Sequence, residues 1–89
     1  MKELIRALKA LANERRLQIL KLLIKSGSST VGEISDSINL SFRSTSKHLL
    51  KLESVNLVDK EQVGPRVFYK VAKGIEGFRE ALINLVKSA

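Results

Sequence analysis

TVGEISDSINLSFRSTSKHLLKL, residues 30 to 52, decides how this chain folds. Thr30 is a good helix N-cap, and Glu33 three residues later gives the form of a capping box. The helix it opens is short, Val31 to Ile38. Asn39 follows its last apolar residue, and Asn tolerates the left-handed backbone that ends a helix. Leu40 is an apolar plug in the turn. Ser41 is a second N-cap, and a longer helix is predicted from Phe42 to Ser54. Helix, short turn, helix is the helix-turn-helix signature. The second helix is polar and basic from Phe42 to His48 and apolar at Leu49, Leu50, Leu52 and Val55. That asymmetry suits a helix whose N-terminal end enters a DNA major groove while the rest anchors in a core. A polar first turn is also ordinary capping chemistry, so the flanking chain has to support the reading.

Downstream, the character changes. Val55, Leu57 and Val58 lead into Asp59 to Val63, then Gly64-Pro65, then Arg66 to Val71. β-branched and aromatic residues with period two, across a Gly-Pro turn, predict a β-hairpin over residues 59–71. Pro65 at the tip removes no ladder hydrogen bond. A hairpin directly after a helix-turn-helix makes a winged helix, with Arg66 near the wing tip.

Upstream, Met1 to Ala12 reads as a helix: Leu4, Leu8 and Leu11 form a stripe that Met1, Ile5 and Ala12 widen. Asn13 caps a second helix running to Lys25, with Leu17, Leu20, Leu23 and Ile24 as its expected buried stripe and Ile19 and Leu22 beside it. Its charges, from Arg15 to Lys25, read as solvated. Gly27 is a natural stop, and Ser26 to Ser29 reads as loop. A last helix is expected over residues 73–89, with Ile75, Phe78, Leu82 and Leu85 on one face. The fold expected is mostly α with a small β-hairpin, in the order α-α-α-α-β-β-α, one domain over residues 1–89. Both terminal helices are apolar over more than one stripe. That surplus surface suggests a homodimer, with Leu4, Ile5, Leu8, Phe78, Leu82 and Leu85 in its interface.

Composition narrows the function. The 89 residues carry a net charge of +7, which favours polyanionic partners. From Ser41 to Lys73 there are seven bases (Arg43, Lys47, Lys51, Lys60, Arg66, Lys70, Lys73) and three acids (Glu53, Asp59, Glu61), a net +4. Val31 to Leu40 holds Glu33 and Asp36 and no base. No apolar run approaches the length of a membrane span, and the N-terminal residues lack a signal-peptide pattern. With no cysteine there are no disulfides, thiol nucleophiles or zinc–thiolate sites, which fits a cytoplasmic protein. No cofactor is implied. Nucleophile–base pairs, phosphate-cradling glycine loops and paired carboxylates are missing, so an enzyme is not expected.

Several short motifs carry a family resemblance. Leu8 to Leu20 (LKALANERRLQIL) resembles the "LKALADPTRLRIL" opening of ArsR-type winged-helix repressors. Leu40-Ser41 with Ser44 to Leu49 (STSKHL) resembles that family's "LSQSTVSRHL" recognition helix. Leu57-Val58 and Val67 to Val71 resemble its "GLV" and wing strand. The resemblance spans Ile5 to Val71. It implies a homodimer that binds palindromic operator DNA, usually as a repressor, with the terminal helices at the dimer interface. This chain departs from the pattern in instructive places. Phe42 stands where Gln is frequent; Phe cannot form a bidentate hydrogen bond with adenine but can pack on thymine methyls. Thr45 stands where Val is usual. Metal-sensing members carry a cysteine pair where this chain has Ser29 to Glu33, and others use Asp and His on the last helix, where it has only Glu76 and Glu80. A single His and no Cys cannot build a transition-metal site of the usual kind, so metal sensing is not expected.

The expected DNA-binding residues are Ser41, Phe42, Arg43, Ser44, Ser46, Lys47, His48, Lys51 and Arg66. Ser41 caps the helix and can donate to a phosphate. Arg43 lies in the first turn, where a guanidinium can reach guanine O6 and N7. Lys47 and Lys51 suit the backbone, and Arg66 a phosphate or the minor groove. His48 precedes the apolar Leu49 and suits a structural or backbone-contacting role better than a metal ligand. The rival class is a winged-helix module for protein or RNA. Shape-selective RNA binding would bring exposed aromatic stacking residues, and only Phe42 is available for that.

Overall fold

The structure, a computed structural model, describes residues 1–73. The elements are α1 (Lys2–Leu11), α2 (Glu14–Ser26), β1 (Ser29–Thr30), α3 (Val31–Ile38), α4 (Phe42–Ser54), β2 (Val58–Val63) and β3 (Arg66–Val71). The helix expected over 73–89, with Phe78, Leu82 and Leu85, lies outside the described residues.

The local signals act as their chemistry requires. Thr30 Oγ1 accepts from the Glu33 N–H at 3.2 Å while Glu33 Oε1 accepts from the Thr30 N–H at 3.0 Å, closing the capping box. Asn39 adopts the left-handed region at φ 53° and ψ 51° and ends α3. Ser41 Oγ accepts from the Ser44 N–H at 3.1 Å and starts α4. Asn56 also takes a left-handed φ of 61°, between α4 and β2.

One strand was not foreseen. Ser29–Thr30, read as loop and cap, pairs antiparallel with β3, Ser29 opposite Tyr69 and Thr30 opposite Phe68. The sheet is therefore three-stranded, β1-β3-β2, with the wing hairpin closing between Val63 and Arg66. Two residues are too few to show an alternating pattern, so only the neighbouring strand reveals β1.

The core lies between the helices and the base of the sheet. Ile19, Leu20 and Leu23 of α2 meet Ile34 of α3, Leu49 and Leu52 of α4, and Leu57, Val58 and Tyr69. This corrects the stripe expected for α2: Leu17 is 51% exposed and Ile24 68% exposed, while Ile19 is fully buried. In α1 the fully packed positions are Ala7 and Ala10, whose small side chains permit close approach. Leu4, Leu8 and Leu11 remain half-buried, and Met1 and Ile5 are exposed. The solvated reading of Arg15 and Arg16 is corrected too. Arg15 Nη1 donates to the Ile38 carbonyl and Arg16 Nε to the Ala10 carbonyl, both at 2.6 Å. Each guanidinium holds a carbonyl that the end of a neighbouring helix leaves free.

Thr45 is fully buried, and its hydroxyl is the one buried side-chain polar atom without a hydrogen bond among the described residues. An unpaired buried hydroxyl is destabilising, and valine has the same shape. Thr45→Val should raise stability by about 1 kcal/mol, which for a domain of this size is a shift of roughly 4–8 °C in Tm. A lower Tm in thermal unfolding would show that the hydroxyl is satisfied.

Candidate nucleic-acid interface

Helix α4 presents one face to the core and the opposite face outward. Thr45, Leu49 and Leu52 are buried. At about 100° per residue, Arg43, Lys47, Leu50 and Ser54 fall on one outward line with Lys51 beside it, and all five are exposed. Phe42, in the first turn, is 62% exposed. Ser44 and Ser46 are half-buried. Leu50, expected in the core, is instead 53% exposed within this outward line.

His48 is half-buried and points around the helix from the outward line, beside α2. Burial, then the charges of Arg16 and Arg15, hold its imidazole below the ordinary histidine range. Both effects favour its neutral form.

The cations divide by partner. On the wing and its base, Lys60 faces Glu53 at 3.9 Å, Lys70 faces Glu61 at 3.8 Å and Arg66 faces Glu33 at 3.8 Å. Arg66 also lies over the Phe68 ring, 5.1 Å from its centroid. Among the described residues, Arg43, Lys47 and Lys51 have no ion pair. The uncompensated positive charge of the helix–wing region is therefore concentrated on α4. Sequence counting placed Arg66 with the free bases; its pairing depends on β1, which brings the start of α3 beside the wing.

Glu33 thus has two tasks. Its carboxyl is held below the usual carboxylate range chiefly by the Thr30 N–H, then by the Thr30 hydroxyl, with Arg66 adding to the effect and desolvation opposing it. Between α4 and the wing runs a groove of about 540 Å³, walled by Val31, Phe42, Val67 and Tyr69, with Lys60 and Gln62 at its edge. No group of three or more His, Cys, Asp or Glu side chains among the described residues could hold a metal ion. No helix there is long and apolar enough to cross a membrane.

A helix-turn-helix braced by a β-hairpin, with a basic outward helix face, defines the winged helix-turn-helix class of DNA-binding domains. Within that class the chain belongs to the arsR family of bacterial regulatory proteins, whose model matches residues 13–60. Over 65 residues it is 45% identical to the transcriptional activator HlyU of Vibrio cholerae, an alignment covering 73% of this chain and 59% of HlyU. It is 33% identical over 64 residues to the HTH-type transcriptional regulator YgaV of Escherichia coli, covering 72% of this chain and 65% of YgaV. The chain thus spans less than two thirds of either relative. Among solved structures, the homodimeric winged helix-turn-helix DNA-binding domain of Mb0332 from Mycobacterium bovis superposes with a TM-score of 0.80 at 35% identity, covering 98% of this chain and 80% of that one.

Two outcomes are expected from this geometry. The unfolded His48 keeps a pKa near 6.5 while the folded one lies lower. Below that pH the unfolded chain therefore binds more protons, and stability falls as pH drops. Urea unfolding from pH 7 to pH 5 should show a steeper loss for the wild type than for His48→Gln. Equal slopes would mean that His48 is not desolvated. Separately, Glu33→Gln keeps the acceptor for the Thr30 N–H and removes the charge facing Arg66. It should tighten binding to duplexes of any sequence by about two- to fivefold at low salt. Unchanged affinity would show that Arg66 takes no part in binding.

Proposed function

We propose that the protein is a sequence-specific, duplex-DNA-binding transcription regulator that acts as a homodimer on a palindromic operator. It represses by occupancy and does not respond to metal ions. The observation that carries this reading is the outward face of α4, where Arg43, Lys47 and Lys51 stand exposed and without acidic partners among the described residues. Such a face attracts phosphate, and the N-terminal turn beyond it is free to enter a major groove. In this arrangement Arg43 reads a base, Phe42 packs on thymine methyls at the edge of the wing groove, and Ser46 lies beside them. Ser41, Lys47 and Lys51 hold phosphates. Arg66 reaches the backbone from the wing once Glu33 releases it. Ser44 and His48 serve α4 itself, one as the capped N–H and the other against α2.

The half-buried Leu4 and Leu8 and the exposed Ile5 and Met1 support a dimer through α1, as does the homodimeric Mycobacterium bovis neighbour. Two symmetric copies would present two α4 helices to two half-sites, and operator symmetry would follow from protein symmetry. A cytoplasmic location accords with that work.

The test is binding of wild type, Arg43→Ala and Lys51→Ala to a selected site and a scrambled duplex across a salt series. Arg43→Ala should lose about 1–3 kcal/mol on the selected site and relax preference at one base position. Lys51→Ala should weaken both duplexes equally and flatten the salt slope by about one unit per contact, so about two for a dimer. Equal losses on both duplexes for both variants would remove Arg43 from base readout. No change with either would favour a protein-interaction module.

A further inference from the structure

The apolar back half of α4 is split by the fold. Leu49 and Leu52 are fully buried, whereas Leu50 is 53% exposed. Leu50 lies seven residues after Arg43, three after Lys47, one before Lys51 and four before Ser54. At helical spacing these residues surround it on one face. A single exposed leucine needs no explanation in general. This one stands in the middle of the surface that holds the uncompensated cations. Its surroundings decide what can cover it. A second copy of α4 would bring the same cations and be repelled, whereas a polyanion would be drawn in and would desolvate the side chain.

We infer that Leu50 is a specificity-determining residue that reads the C5-methyl group of a thymine in the major groove. The inference rests on the DNA-binding reading above and extends it to a side chain with no charge. Leucine has neither donor nor acceptor. On the floor of the major groove its apolar partner is the thymine methyl, so contact there separates A·T from G·C and fixes which strand carries the thymine. Along the helix axis Leu50 stands about 10 Å beyond Arg43. That spans about three steps of 3.4 Å, so the thymine falls about three base pairs from the base that Arg43 reads. Phe42 is in the first turn, against the wing groove, and about 12 Å along the helix axis from Leu50.

The experiment starts with sites enriched from a random duplex pool by the wild-type protein. Each thymine in the enriched site is then replaced singly by deoxyuridine, which removes only the methyl group. At one position in each half-site the replacement should weaken wild-type binding about fourfold, the effect of one buried methyl. At that position it should have no effect on Leu50→Ala. The salt slope of Leu50→Ala should match the wild type, since no charge is lost. Leu50→Gln, which keeps the length of the side chain, should behave like Leu50→Ala; circular dichroism and Tm establish that both variants fold. If every deoxyuridine effect persists unchanged in both variants, or no position responds in the wild type, Leu50 does not read a methyl. If the pool yields no enriched site, or an acidic protein surface competes for the face in place of DNA, the DNA-binding reading fails and this inference with it.

Discussion

The structure turns on Thr30. Its backbone pairs with Phe68 of the central strand, and its hydroxyl caps α3. One residue therefore belongs to the sheet and to the helix-turn-helix at once. The base of the wing is already anchored through Leu57, Val58 and Tyr69 in the core, and β1 adds a backbone partner on the other side of β3. With it, β3 is held on both sides, and the start of α3 is fixed against the wing. Two features of the candidate interface lie at that junction: the groove between Phe42 and Val67, and the approach of Glu33 to Arg66.

That junction also contributes one of the three ion pairs that shape the electrostatics, Glu33 with Arg66. A count of lysines and arginines makes the helix and the wing equally basic. Among the described residues the wing cations face carboxylates while those of α4 do not. Exposed ion pairs of nearly 4 Å contribute little to stability. Their consequence here is spatial: they damp the field over the wing and leave it strongest over α4. A polyanion is thereby drawn to α4 more strongly than to the wing.

The second organising feature is the pair of arginines at the start of α2. Arg15 and Arg16 reach backbone carbonyls of Ile38 and Ala10 and so join α2 to α3 and to α1. Their charges add to the burial that holds the His48 imidazole below the ordinary histidine range. The sequence reading gave His48 a structural or backbone-contacting role, and the fold places it half-buried on α4 beside these arginines. The outward face of that helix is left to aliphatic, hydroxyl and permanently charged side chains.

The sequence by itself determined the elements that rest on neighbours along the chain. The capping box at Thr30 and Glu33, the left-handed stop at Asn39, the cap at Ser41 and the Gly64-Pro65 turn each act within a few residues. Their consequence could be read from residue type and spacing. These signals sufficed for the winged helix-turn-helix and for most of the face on which Arg43, Lys47 and Lys51 stand. What only the tertiary structure decided depends on which segments meet. Two residues of strand at Ser29–Thr30 exist because β3 lies beside them. Glu33 and Arg66 pair because that strand brings them together across 32 intervening residues. Leucine content could not separate Leu50 from Leu49, or Leu17 from Leu20. The period of a helix identifies an apolar stripe but leaves its edges open, and only the neighbouring elements settle which edge is covered.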